Sequence, residues 1–143
     1  MGRAFITAAH WAEAVEESFE LGSTLDTPSL ARQVVRDVLY RWDMVALVDD
    51  AELIASELVA NAVVHAGGAT RLALTGERGS YLRIEVTDGD NRPPMRGKMT
   101  GDALSGRGLN IVFALAAAWG SAAGPSGPGK TVWAEISTVA HPR

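Results

Sequence analysis

Glu57, Asn61 and His65 recur at four-residue intervals in the stretch 51–68, AELIASELVANAVVHAGG. On a helix that spacing stacks a carboxylate, a carboxamide and an imidazole on one face, one turn apart. They lie beside an apolar stripe of Leu53, Ile54, Leu58, Ala62 and Val63. Glu and Asn on a helix most often form its wet face, and a lone His is most often structural. Three together beside a buried stripe suggest a site, and the rest of the chain decides between the readings. A second pattern is Gly124-Pro-Ser-Gly-Pro-Gly129-Lys130-Thr131, which matches the phosphate loop G-x-x-x-x-G-K-T. That motif requires a helix after the glycines, with its N-terminus facing the phosphates. Here a strand-like run with Val132, Trp133 and Ile136 follows, and no room is left for such a helix. The match is rejected as a turn between elements.

The elements that must position these residues are legible in part. The central helix ends at Gly67-Gly68, and Asp49 and Asp50 favour its positive end. Before it, Glu17 to Leu21 reads as a short strand, while Trp11 to Val15 suits one helical turn. Residues 1–16 otherwise carry little signal. Thr27 as N-cap and Pro28 at the first position open a helix with Leu30, Val34, Val35, Val38 and Trp42 inward. Its Arg32, Arg36, Asp37 and Arg41 are expected to face water. Thr70 to Thr75 and Tyr81 to Thr87 alternate as a β-hairpin around a Gly76–Gly79 turn. Leu82, Ile84 and Val86 go to one face, and Arg83, Glu85 and Thr87 to the other. Asp88-Gly89-Asp90-Asn91 ends the second strand. A loop follows up to Ser105, with Pro93, Pro94 and the cations Arg92, Arg96 and Lys98. A loop of that length in a compact domain is usually functional or disordered. Gly106-Arg107-Gly108 opens a helix expected over Leu109–Trp119, closed by Gly120, with Leu109, Val112, Phe113, Ala116 and Ala117 available to pack. Lys130 to Thr138 is the last strand, with Val132, Ala134 and Ile136 inward. Separable layers of helices and antiparallel strands give an α+β class.

Composition narrows the functions. The chain has 143 residues, which suits a single domain over 1–143 with one core. It is 47% hydrophobic and 21% charged, the balance of a soluble globular protein. A formal net charge of -4 argues against general affinity for nucleic acid or anionic membrane, and leaves a bound nucleotide open. The chain has no cysteine, so disulfides and thiolate metal sites are excluded and a reducing cytosol fits. The longest apolar run, Ile111 to Trp119, is too short to span a bilayer. The N-terminal residues carry neither a signal-peptide plan nor a myristoylation signal. The expectation is a cytoplasmic protein.

Taken in order, Glu57-x-x-x-Asn61-Ala-x-x-His65 on a helix, Asp88 after a strand, a loop, Gly106-Arg-Gly108-Leu109 opening a helix, and Gly129-Lys-Thr131 opening a strand resemble the GHKL (Bergerat-fold) ATPases. Within that group the chain is similar to the small single-domain bacterial anti-sigma factor serine/threonine kinases and their actinobacterial relatives. The resemblance runs from about Glu17 to Ile136. It implies a two-layer α/β sandwich of the histidine kinase-like ATPase type, with a mixed, mostly antiparallel sheet packed on helices. It implies binding of ATP and Mg²⁺. Asn61 would hold the ion through its amide oxygen. Asp88 would accept from the adenine amino group, and Thr131 would support the adenine edge. The amides of Arg107, Gly108 and Leu109 would meet phosphate oxygens, with Gly106 and Gly108 allowing close approach. Glu57 would be the general base. His65 is read as capping the helix end near Gly67.

The implied activity is phosphorylation of a Ser or Thr on an anti-anti-sigma (STAS) partner, anti-sigma control of transcription, or both, with homodimers occurring among such proteins. The alternative is a non-catalytic, ATP-dependent module that sequesters a sigma factor or other regulator. Two departures stand out. The first glycine box, Asp88-Gly89-Asp90-Asn91-Arg92, lacks the spacing D-x-G-x-G, and Asn110 stands where many relatives have a glycine.

Overall fold

Alternating side chains sort one sheet into two unlike faces, and two helices cover one of them. A computed structural model describes residues 14–22, 24–66, 70–77, 81–89, 110, 112, 114–123 and 129–137. The elements are β1 (Ala14–Leu21), α1 (Thr27–Arg41), a 3₁₀ turn (Val45–Leu47), α2 (Val48–Ala66), β2 (Thr70–Glu77), β3 (Tyr81–Asp88), β4 (Ala118–Ala123) and β5 (Lys130–Ser137). The sheet order is β1-β2-β3-β5-β4. Every strand pair among the described residues is antiparallel, in keeping with the mostly antiparallel sheet expected from the sequence. The two helices occupy the crossover from β1 to β2. β5 inserts between β3 and β4.

The hairpin registers pair Leu72 with Val86 and Leu74 with Ile84, then Ile84 with Ala134 and Val86 with Val132. Residues opposite one another share a face. These side chains therefore form one apolar surface, and α2 lies on it with Ile54, Ala55, Leu58, Val59 and Ala62 buried. The expected stripe holds for Ile54, Leu58 and Ala62. Leu53, expected inward, is 37% exposed. α1 packs along α2 and buries Ala31, Val35, Val38 and Leu39. Val35, Val38 and Trp42 face inward as expected, whereas Leu30 is exposed and Val34 half-buried. Ala31 and Leu39 take those places because α1 must fit closely against a neighbouring helix. The helices are also braced by Arg36, whose guanidinium donates to both Glu52 oxygens at 2.6 and 3.0 Å. Arg41 likewise donates to Glu17 of β1 at 2.5 and 3.0 Å. Both arginines, expected simply to face water, hold one element to another with their stems still exposed.

Three further boundaries differ from expectation. Ala14 and Val15 belong to β1 rather than to a helical turn, because β1 pairs with β2 along its whole length. Thr27 is the first helical residue and Asp26 the N-cap. The Thr27 hydroxyl accepts from the Thr24 amide at 3.0 Å, so it serves the preceding turn. Gly76 lies within β2, not in the turn, because the missing side chain admits Trp42. A Cβ there would stand 3.0 Å from the Trp42 ring.

The largest correction concerns residues 116–123. Asn110, Val112, Ala114 and Leu115 are helical, with Val112 buried, but the helix does not reach Trp119. Ala118–Ala123 is instead the edge strand β4, in register with β5 from Ala118↔Glu135 to Ala123↔Lys130. The Ala117 amide donates to the Glu135 carbonyl at 2.7 Å and starts the ladder. A run of alanines favours helix locally. Here the open edge of β5 offers backbone partners, and Gly120 lets the Trp133 indole lie flat on the strand. A Cβ at Gly120 would come within 2.6 Å of that ring. Gly120→Ala is therefore expected to cost about 1–3 kcal/mol, the usual penalty for overpacking. Urea unfolding of the two proteins checks this.

The face away from the helices carries a buried polar cluster. The Arg83 side chain is fully buried. It donates from Nε to Glu85 and from a terminal nitrogen to Glu135, each at 2.6 Å. Its guanidinium carbon lies 4.3 Å from the Trp133 ring centroid. Tyr81 donates its hydroxyl to Glu135. Burial, and then the Glu135 carboxylate, hold the Tyr81 phenol well above its usual range. Two carboxylates and an aromatic face answer the desolvation of one guanidinium.

Candidate functional site

α2 ends at Ala66 and β2 begins at Thr70, so the last turns of α2 lie at one end of the sheet. The same end carries the close of β3 at Asp88 and the start of β5 at Lys130. The fold thus brings the helix with Glu57 and Asn61 to the strand ends with Asp88 and Lys130. Most of the helix around the two polar residues is buried, so their burial is a consequence of packing and not of their own chemistry.

Asn61 is 4% exposed. Its Oδ1 is buried and has no hydrogen-bond partner among the described residues. A buried acceptor left unpaired costs about 1–3 kcal/mol. Such groups call for an explanation, and an absent ion or ligand is one. Among the described residues no group of three or more His, Cys, Asp or Glu could hold a metal ion. The available donor is one neutral amide oxygen. That suits a hard cation that keeps most of its ligands as water and phosphate oxygen, as Mg²⁺ does.

Glu57 stands one turn before Asn61 and is half-buried. Burial raises its carboxyl above the usual value, and the positive charge of Arg32 on α1 opposes part of that rise. Arg32, read from sequence as merely solvent-facing, is thus electrostatically tied to Glu57. A carboxyl whose folded value is raised binds its proton more tightly in the native state. Its contribution to stability is full below the unfolded value and is lost as pH rises through the folded one. Glu57→Gln, which cannot ionise, should therefore gain in melting temperature relative to wild type between about pH 4 and pH 7. Paired thermal melts across that range check the sign.

Asp88 and Lys130 form a cross-strand pair on the helix-covered face. The Lys130 ammonium donates to both Asp88 carboxylate oxygens, each at 3.2 Å. The side chains are 1% and 5% exposed. Gly129 precedes the pair with φ +124, and a Cβ there would stand 2.7 Å from the Asp88 carbonyl oxygen. Only glycine lets the chain enter β5 this close to Asp88. Lys130 and Thr131 lead directly into a strand, as the rejection of the phosphate-loop reading requires. Thr131 is placed on the other face, where its hydroxyl meets that of Thr87 at 2.8 Å. Gly106, Arg107, Gly108 and Leu109 lie outside the described residues, as does the loop before them. The His65 backbone is part of α2, and its side chain lies outside the description.

Sequence reasoning missed Lys130, although its signal was present. Lys130 has the same parity as the inward Val132, and Asp88 has the parity of the inward Val86. Alternation alone places the two on one face.

The architecture is a two-layer α/β sandwich of the Bergerat type, with an antiparallel five-stranded sheet under two helices. The chain is similar to the crystal structure of the RsbU and RsbW domains of Rv1364c from Mycobacterium tuberculosis, with a TM-score of 0.57 and 21% sequence identity. The match covers 88% of this chain and 34% of that one, so this chain spans about a third of its length. At that identity the likeness speaks for the fold. No family model and no curated protein matches the sequence. No helix among the described residues is long and apolar enough to cross a membrane.

Proposed function

We propose that the chain is an ATP-binding regulator that transfers the γ-phosphoryl group of Mg-ATP to a Ser or Thr of an anti-anti-sigma (STAS) partner, controls a sigma factor, or does both. The observation that carries this reading is the buried Asn61 Oδ1, without a partner among the described residues, one helical turn from a half-buried carboxylate. Asn61 would hold Mg²⁺. The ion, when bound, supplies positive charge to the phosphates. Asp88 would accept from the adenine amino group, since an ionised carboxylate only accepts. The backbone of Gly106, Arg107, Gly108 and Leu109 would receive phosphate oxygens. Glu57 would take the proton of the attacking hydroxyl. Its burial supports that role, because a carboxyl held above its ordinary value is, once ionised, a stronger base.

A protein substrate is supported by the surface around Glu57. Leu53 and Val64 lie four residues before and seven after it, on the same side of α2. They are 37% and 50% exposed. Apolar side chains on both flanks of a base suit a protein partner better than water. The setting this reading implies is cytoplasmic, and a homodimer is compatible with it.

The test has two arms. Mg-ATP should raise the melting temperature, because a ligand bound only by the native state stabilises it by mass action. Labelled ATP should then mark a STAS protein from the same source on Ser or Thr. No thermal shift at millimolar Mg-ATP sinks the nucleotide reading. A shift with nucleotide-dependent partner binding but no transfer leaves the non-catalytic binding module.

A further inference from the structure

We infer that Leu25 is a docking anchor for the substrate protein: the turn before α1 holds it out at the site end of the molecule, where it fits an apolar recess on the STAS partner. The inference rests on the proposed phosphoryl transfer and says where the partner sits. Leu25 is 89% exposed, the most of any large apolar side chain among the described residues. A single exposed leucine is ordinary. Its rigidity, its place and its company set this one apart.

The residues on either side of Leu25 are tied to one another. The Thr24 amide donates to the Thr27 hydroxyl at 3.0 Å, and the Thr24 hydroxyl donates to the Asp26 carboxylate. The Thr27 amide closes the turn on the Thr24 carbonyl at 3.1 Å, and Thr27 itself is buried. The backbone that carries Leu25 is thus fixed before a partner arrives, and little ordering is left to oppose binding. The turn stands at the candidate site. Leu21 pairs with Thr70, and the Thr70 hydroxyl donates to the Gly22 carbonyl at 3.3 Å. Thr70 follows the close of α2 and lies at the sheet end that carries Asp88 and Lys130.

Other apolar side chains extend the surface toward Glu57. Two consecutive helices joined by a short turn run antiparallel, and Arg36 and Glu52 brace α1 to α2. Counted in helical rises from that pair, the start of α1 comes level with the last turns of α2. Val64, 50% exposed, belongs to those turns, and Leu53, 37% exposed, continues the same ridge past Glu57. A protein that delivers a hydroxyl to Glu57 must cover this ridge. An anchor at its rim adds affinity without entering the chemistry. A second copy of the chain seated over Leu25 and Val64 would cover the base and bar the substrate, so the occupant is the substrate protein.

The test uses the full chain and the STAS protein that it phosphorylates. Leu25→Ser should raise the partner's dissociation constant, read by calorimetry, and its KM by roughly ten- to hundredfold, the scale of one leucine fully buried. The kcat at saturating partner and the Mg-ATP thermal shift should stay at their wild-type values. Leu25→Met, which keeps the apolar reach, should restore most of the affinity. Val45 is also exposed but lies at the opposite end, where α2 begins, and Val45→Ser should bind the partner as wild type does. Each variant changes an exposed side chain, so all should fold.

Wild-type affinity in Leu25→Ser overturns the inference and leaves the kinase reading standing. So does an equal loss in Val45→Ser. A wild-type dimer in sedimentation that Leu25→Ser splits, with partner binding unchanged, assigns the surface to a second copy and overturns the inference as well. If wild type phosphorylates no STAS protein, the proposed transfer falls and this inference falls with it.

Discussion

Glu57→Ala is expected to lower phosphoryl transfer to the partner protein by about 10²–10⁴-fold, the range for loss of a positioned general base. The Mg-ATP-induced rise in melting temperature should be unchanged. The separation follows from the placement of Glu57 on α2. It is half-buried where Asn61 is buried. Removing its carboxyl takes away a proton acceptor and leaves the buried amide one turn on. It also removes a carboxyl whose ionised form burial disfavours. The variant should therefore be no less stable than wild type near neutral pH, which excludes unfolding as the cause of lost transfer. In wild type the rate should rise with pH along a limb displaced above the ordinary Glu range, because only the ionised carboxylate can accept the proton. Initial rates with labelled ATP and the STAS partner measure all of this. Transfer at the wild-type rate removes Glu57 from the chemistry.

Why was α2 readable and β4 not? The period of α2 survives in its sequence because one side lies on a sheet and another on α1, and both need apolar residues at helical steps. Ile54, Leu58 and Ala62 record that need. The hairpin of β2 and β3 was equally legible, since Leu82, Ile84 and Val86 must all meet α2. Residues 116–123 carry no such record. An edge strand made of Ala, Trp, Gly and Ser has little side chain to bury, and its conformation is decided by the free edge of β5. Nothing local announces that edge. The inward face of α1 was misplaced for a related reason. Leu30 is larger than Ala31 and more hydrophobic, yet a close helix contact selects the smaller residue.

At the site the division is similar. Spacing along one helix singled out Glu57 and Asn61, because a period is a local property. Burial of Asn61 and the charge of Arg32 near Glu57 are properties of packing, and no spacing within the chain reports them. The Asp88–Lys130 pair sits between these cases. Its face was implied by the parity of Val86 and Val132, but its register needed β3 and β5 to be neighbours. That neighbourhood skips β4 in the sequence, and no spacing within either strand reports it.

Asn61→Leu should show the cost of keeping an unpaired acceptor in the core. Without nucleotide the variant is expected to be more stable than wild type by about 1 kcal/mol, since a side chain of similar size replaces a buried oxygen that has no partner among the described residues. With nucleotide the order should reverse. Wild type at a hundredfold excess over its dissociation constant gains about 2.7 kcal/mol by mass action, and the variant, with no oxygen for the ion, should gain almost none. Omitting Mg²⁺ should remove most of the wild-type gain and change nothing in the variant. Melting curves of both proteins, with and without ATP and Mg²⁺, give the four differences needed. A variant that is less stable without ligand would mean that the Asn61 amide is already satisfied in the native state. One that keeps the full Mg-ATP gain would place the ion elsewhere. The expected crossing is the signature of a residue kept for what it binds, because packing alone would favour leucine at that point of α2.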